Sequence, residues 1–233
     1  MPLPEPPWRK PVRQPLSREL IVDTALAILD QEGMDALSMR RIATELGTGA
    51  ASLYAHVSNK DELQELLLER VLSQVPHEVP DPGRWAAQLR DLCRHTVDAL
   101  ISHNGIAQVA LATIVPTGEA SFAQAEAMLG LLRTSGLPDP HVAVAFDVLS
   151  LYLTAYAVEA NAVRSGQFSE AEILERTRQL GEYMAALPPD RFPSLLALAP
   201  LLGSADRFPA ALDLVIAGVE ALAARSSELG QGQ

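Results

Sequence analysis

Cysteine occurs once in this chain, at Cys93, and only 5% of its 233 residues are aromatic. A lone thiol excludes an intramolecular disulfide framework and fits a reducing compartment. β-Branched residues are sparse beside Ala and Leu, a balance that favours helices over sheets. There is no run of 18 apolar residues and no basic-then-apolar leader. The expectation is a soluble, cytoplasmic protein with no membrane partner. No group of His, Cys and carboxylates has the spacing of a metal site, so neither a metal nor a cofactor is expected. Glu159 has no partner carboxylate, nucleophile or metal cluster in the sequence, which argues against an enzyme.

Acidic side chains are plentiful, and they outnumber basic ones by 29 to 18. The imbalance is uneven. Residues 9–60 hold seven Lys or Arg against six acidic residues, whereas residues 61–233 hold eleven against 22. An acidic body repels phosphate, so any contact with nucleic acid is confined to the N-terminal part.

Six prolines fall within residues 1–15, together with Arg9, Lys10 and Arg13. That segment reads as an extended, disordered arm. Ser17 is placed to cap a helix from Arg18 to Glu32, with Ile21, Val22, Ala25, Ile28 and Leu29 at helical spacing and Gly33 at its end. Ser38 opens a second short helix, "MRRIATEL", and Gly47 stops it. The stretch "GAASLYAHVSNKDEL" then supplies a third short helix. Ser58 and Asp61, three apart, read as a variant capping box for a fourth. Pro76, Pro80, Pro82 and Gly83 interrupt the chain after residue 75. Beyond them, helices are expected over 84–101, 104–113, 119–135, 139–164, 169–186 and 208–225. The stretch 187–207 is irregular with one helical turn, and a polar tail follows residue 226. The domains so drawn are 1–15, 16–75 and 83–226.

A helix, a short helix, a three-residue turn and another short helix make a helix-turn-helix arrangement. Gly47 and Gly49 offer the conformational freedom that the turn demands. The second short helix must be slim to enter a major groove, and Gly49, Ala50 and Ala51 are slim. Ser52 and Tyr54 carry hydroxyls for phosphate or base edges, and Lys60 could pair with a phosphate beside free N–H groups. Composition alone equally allows "GAASLY" as a buried turn, Tyr54 as a core aromatic, and Arg40 and Arg41 as a solvated face.

Residues 16–72, and "LYAHVSNKDEL" above all, resemble the DNA-binding domain of the tetracycline-repressor family. The resemblance implies an all-α chain: an N-terminal helix-turn-helix domain followed by a larger helical ligand-binding and dimerisation domain. It implies that Ser38 caps the second helix and that Met39 and Arg40 follow it at the operator. Ala50, Ala51, Ser52, Tyr54 and His56 fall in or beside the recognition helix, and Lys60 at the phosphate-facing start of the fourth. With so slim a helix, Arg9, Lys10 and Arg13 of the arm would compensate in the minor groove or on the backbone.

The helix "HVAVAFDVLSLYLTAYAVEANAV" is apolar on nearly every face, and so is the last helix. Both read as too short for membrane spans and too apolar for a monomer's surface, so a four-helix dimer seam is expected. Its residues would be Ala145, Leu149, Leu153, Ala157, Leu212, Ile216 and Val219. A central helix buried within one subunit is the rival reading for 139–164. The later stretches also resemble the tetracycline-repressor branch, in which a ligand shifts the fourth helix and separates the reading heads. Pro76 and Ala110 stand where that repressor offers histidines to drug and magnesium, so tetracycline with magnesium is not expected. Instead a small apolar organic effector is implied, with His95, His103 and Asn104 as polar points and Thr96, Phe122, Phe146 and Leu149 as further lining. The reading is thus a homodimeric repressor of double-stranded, palindromic operator DNA. The alternative is a dimeric helical sensor or scaffold with weak or lost sequence-specific binding, and steep salt dependence separates the two.

Overall fold

The computed structural model describes residues 15–113, 117–164, 169–202 and 207–230. Arg9, Lys10 and Arg13 lie outside them, with most of the expected arm. Among the described residues there are eleven α-helices, two short 3-10 turns and no strand. By its contacts the chain divides into two units, Met1–Leu67 and Leu68–Gln233. That division runs through the fourth helix, upstream of the proline-rich linker.

The first unit holds α1 (Arg18–Glu32), α2 (Met39–Glu45), α3 (Ala50–Leu53) and the start of α4 (Lys60–Leu72). Ser17 caps α1 as expected, its hydroxyl accepting from the Leu20 amide at 3.2 Å. Gly33, at φ 80°, ends it. The buried stripe Ile21, Ala25, Ile28 and Leu29 packs with Leu37, Ile42, Leu53, Val57 and Leu63 in one apolar centre. Leu53 and Val57 are fully buried, and they fix the one-turn α3 to the rest. The cap of α4 differs from expectation. Asn59, not Ser58, accepts from the helix, taking the Glu62 amide at 2.8 Å. Glu62, not Asp61, reaches back, accepting from the Ser58 amide at 2.6 Å.

In the second unit, α5 (Trp85–Ser102), α6 (Ile106–Ala112) and α7 (Glu119–Thr134) all pack on α8 (Asp139–Arg164). Leu89, Leu92, Val97 and Leu100 of α5 meet a core that includes Ile106, Leu132, Leu149 and Leu153. α8 has 26 residues, about 39 Å at the helical rise. Its most apolar 18-residue window has a mean hydropathy of 1.5, so its length and composition do reach those of a membrane span, contrary to the sequence expectation. α9 (Glu170–Ala185) carries a full capping box between Ser169 and Glu172. Its described residues 171–183 are all exposed. The proline-rich stretch forms α10 (Pro193–Leu198) and a 3-10 turn. α11 runs from Arg207 to Gly230, so the expected polar tail is helical to that residue. It packs on α8 and α5, where Arg90 meets Asp213 at 2.7 Å and Arg207 pairs with Glu159.

Candidate nucleic-acid interface and effector site

The turn between α2 and α3 is a Schellman ending. The Gly47 amide donates to the Thr44 carbonyl at 3.1 Å and the Thr48 amide to Ala43 at 2.9 Å, with Gly47 at φ 60°. Gly49 behaves differently from expectation. Its φ is −81°, and a Cβ built there meets nothing within 4 Å. Neither backbone nor packing requires a glycine at this position.

Around that turn the structure sorts the candidate residues. Ser38 caps α2 through its hydroxyl, which accepts from the Arg41 amide at 3.1 Å. Arg40 is exposed, and no ion pair among the described residues engages it. Arg41 is committed inside the protein, with Glu32 at 2.5 Å and Glu45 at 2.8 Å. Those carboxylates push its pKa further up, while its guanidinium holds the Glu32 carboxyl below the usual range. The side chain of Met39 is buried in the domain core, which corrects its expected place at the operator. Ala51 and Ser52 are exposed and Ala50 is half-buried. Tyr54 is 52% exposed, so it is not a core aromatic. His56 is half-buried, and its carbonyl accepts from Arg18 Nε at 3.1 Å. Arg18 also bonds Glu62 at 3.1 Å and so ties the end of α3 to the start of α4. Lys60 is exposed on the first turn of α4. The Ser58 and Glu62 amides at that end are already occupied within the protein, so fewer N–H groups stand beside Lys60 than expected.

In the second unit the effector candidates separate. Thr96 is buried, and its hydroxyl accepts from Gln124 Nε2 at 2.5 Å. Gln124 Oε1 lies 3.0 Å from His77 Nε2, which makes a polar chain through an apolar interior. Neither Gln124 nor His77 was legible as a site residue, although a glutamine on the buried stripe of α7 was a visible exception. His95 lines a cleft of about 20 Å³ with Pro76, Glu78, Gln88 and Asp91, room for a single water. His103 presents its carbonyl to Asn161 Nδ2 at 3.4 Å, and Asn104 is its neighbour. Asn161 is 2% exposed, and its Oδ1 has no hydrogen-bond partner among the described residues. Tyr152 Oη is likewise buried without one, beside Tyr156 and Phe208. Phe122 is 59% exposed on α7 and so does not line an interior site. Phe146 is half-buried.

The expected seam residues need the plainest correction. Leu149, Leu153, Ala157, Leu212, Ile216 and Val219 are all buried inside one chain, between α8, α11 and their neighbours. Leu149 is therefore core and not part of an exposed seam. Ala145 is half-buried. The open faces of the same helices carry Val144, Val148 and Leu151 on α8 and Leu214 and Leu222 on α11. Hydrophobicity singled out the helices, but it did not say which face the core would take.

Residues 21–67 match the family model of bacterial regulatory proteins of the tetR family, and residues 79–223 match that of the tetracyclin repressor-like C-terminal domain. The chain is 33% identical to the HTH-type transcriptional repressor DrrR1 of Streptomyces coeruleorubidus, over 93% of this chain and 83% of the relative. The crystal structure of apo ActR from Streptomyces coelicolor is similar with a TM-score of 0.81 and 41% identity, over 91% of this chain and 99% of ActR. ActR in complex with actinorhodin gives 0.80 and 42%, over 90% and 99%.

Proposed function

Because the chain belongs to the tetracycline-repressor family of bacterial transcriptional regulators, we propose that it is a cytoplasmic, homodimeric repressor that leaves a palindromic operator when a small apolar organic molecule binds its second unit. It is a DNA-binding regulator with a helix-turn-helix reading head. The observation that carries the proposal is the contrast between two adjacent arginines. Arg41 is locked into a carboxylate pair, whereas Arg40 stands exposed beside a slim helix that bears Ser52 and Tyr54. Arg40 would read a base edge, Ser52, Tyr54 and Lys60 would hold phosphates, and Ala50 and Ala51 would let the backbone approach. Two heads at a fixed spacing bind far better than one. The stripes Val144, Val148, Leu151 and Ala155 on α8, and Leu214, Ala217 and Ala221 on α11, would form the seam that holds them, because both are exposed at helical spacing.

An effector is supported by the kinship to ActR, which has been solved with actinorhodin and with (S)-DNPA. A buried amide oxygen without a partner costs about 1–3 kcal/mol, which a ligand donor would recover. Asn161 Oδ1 is such an atom, close to the carbonyl of His103. The site would lie between α8 and the C-terminal end of α5, where Asn161 Nδ2 reaches the carbonyls of Leu100 and His103. DNA affinity then falls because the ligand prefers the form that does not fit the operator.

Anisotropy of a labelled duplex, enriched from a random pool by the wild-type protein, tests the reading head. Arg40→Ala should lose about 1–3 kcal/mol on the enriched duplex and far less on a scrambled one. Equal losses on both would reduce Arg40 to a phosphate contact. No enrichment, with shallow salt dependence, would favour a sensor that has lost its operator.

A further inference from the structure

Within the first unit, residues 15–67 hold four basic side chains, Arg18, Arg40, Arg41 and Lys60, against nine acidic ones. That balance is adverse to a surface that binds phosphate. Two of the acids also stand where a helix disfavours them. Glu32 is the last residue of α1 and Glu45 the last of α2, and neither last turn contains a basic residue. The negative end of a helix repels a carboxylate. Arg41 compensates both. Its Nε and one terminal nitrogen donate to Glu32 at 3.0 Å and 2.5 Å, and its other terminal nitrogen donates to Glu45 at 2.8 Å. A guanidinium fork that spans two carboxylates fixes direction as well as charge.

α2 needs a second hold. It has seven residues, and only Met39, Ile42 and Ala43 are buried. A helix attached along one narrow stripe is weakly held against rolling about its axis. At 3.6 residues per turn, Arg41 and Glu45 lie on one flank of that stripe and Arg40 on the other. Anchoring the first flank to the end of α1 fixes the roll, and with it the direction in which Arg40 leaves the helix. The Arg41 and Glu45 side chains are 31% and 54% exposed, so the clamp adds little to fold stability. Its effect falls on geometry. We propose that Arg41, through Glu32 and Glu45, is a positioning residue that fixes the roll of α2 and so aims Arg40 at its base edge. The proposal rests on the regulator reading above, and it adds a determinant of specificity that touches no base.

Charge and position predict opposite results for one pair of variants. Arg41→Gln removes a positive charge, and the double variant Glu32→Gln with Glu45→Gln removes two negative ones. Both break the clamp. Anisotropy compares the enriched duplex with a scrambled one. On the scrambled duplex only charge acts, so Arg41→Gln should bind more weakly and the double variant more tightly. The ratio of enriched to scrambled affinity should nevertheless fall about tenfold in both, because a misaimed Arg40 loses its base contact. The triple variant should show the same ratio as either, since all three lack one and the same interaction. Arg41→Lys, an ammonium without the fork, should lie between. Asp35→Asn, an exposed change of charge outside the clamp, should keep the wild-type ratio. Hydrogen exchange at the guanidinium reports the clamp itself: in the wild type the Arg41 Nε–H should exchange more slowly than that of Arg40, and the double variant should abolish the difference. A cooperative thermal transition separates a misaimed head from an unfolded one, and the double variant, which relieves two helix ends, should retain it. A folded double variant whose ratio equals or exceeds that of the wild type overturns the proposal and leaves the cluster a matter of charge alone. So does an Arg41 Nε–H that exchanges as fast as that of Arg40. If the wild type enriches no duplex at all, the regulator reading fails first and the proposal falls with it.

Discussion

Gly47 and Gly49 bracket one turn, and only the first is needed for it. Gly47 needs its freedom, because φ 60° in a Schellman ending strains any side chain. Gly47→Ala should cost about 1 kcal/mol, seen as a lower thermal midpoint. Gly49 has ordinary backbone angles and empty space where a Cβ would go. Gly49→Ala should leave the midpoint unchanged or slightly raised and still weaken binding to the enriched duplex. A variant that binds like wild type would show that nothing approaches that backbone closely. Cys93 is the other residue with a decided chemistry. Burial pushes its thiol up to about 12, so the reactive thiolate is scarce near neutrality. At pH 8 a thiol reagent such as Ellman's should label it only after denaturant is added. The sequence showed its solitude, and packing made it inert.

At the scale of elements, caps and turns were largely legible because they depend on neighbours in the chain. Ser17, Gly33, Ser38 and Gly47 act where local chemistry puts them. The start of α4 shows where locality is insufficient. Asn59 and Glu62 took the capping roles, and Arg18, 44 residues away from Glu62 along the chain, completes the joint. Bonds from Ser58 first, and the Arg18 charge last, hold the Glu62 carboxyl below its usual range. A depressed carboxylate stabilises the fold above the unfolded-state pKa, and that contribution is lost as pH falls through the folded one. Glu62→Gln should therefore lower the thermal midpoint at pH 7, and the difference from wild type should close under acid conditions. A difference that persists in acid would assign the effect to geometry alone.

For the whole molecule, the deciding question is which face of each apolar helix the core takes. Leu149 is fully buried, and Leu151, two residues along α8, is 65% exposed. Leu149→Glu should unfold the second unit, since a lone buried charge costs far more than any compensation available there. Leu151→Glu and Leu214→Glu should leave a folded chain that sediments as a monomer. A dimer that survives both substitutions would move the seam elsewhere, to a face such as that of α9 with exposed Ile173, Leu174, Leu180 and Tyr183. The same substitutions should weaken operator binding without altering the reading head's own fold.

Composition, helix periodicity and the capping signals determined an all-helical chain, its helix-turn-helix start and most helix boundaries. These follow from spacing and local hydrogen bonding, which a linear sequence records. The tertiary structure decided which of two nearly equivalent apolar faces became core, because that depends on neighbours tens of residues away. It also decided that Arg41 is bound while Arg40 is exposed, and that Glu69 caps a helix that begins 50 residues later. Each of those choices is made by long-range partners, and no pattern within a single helix specifies them.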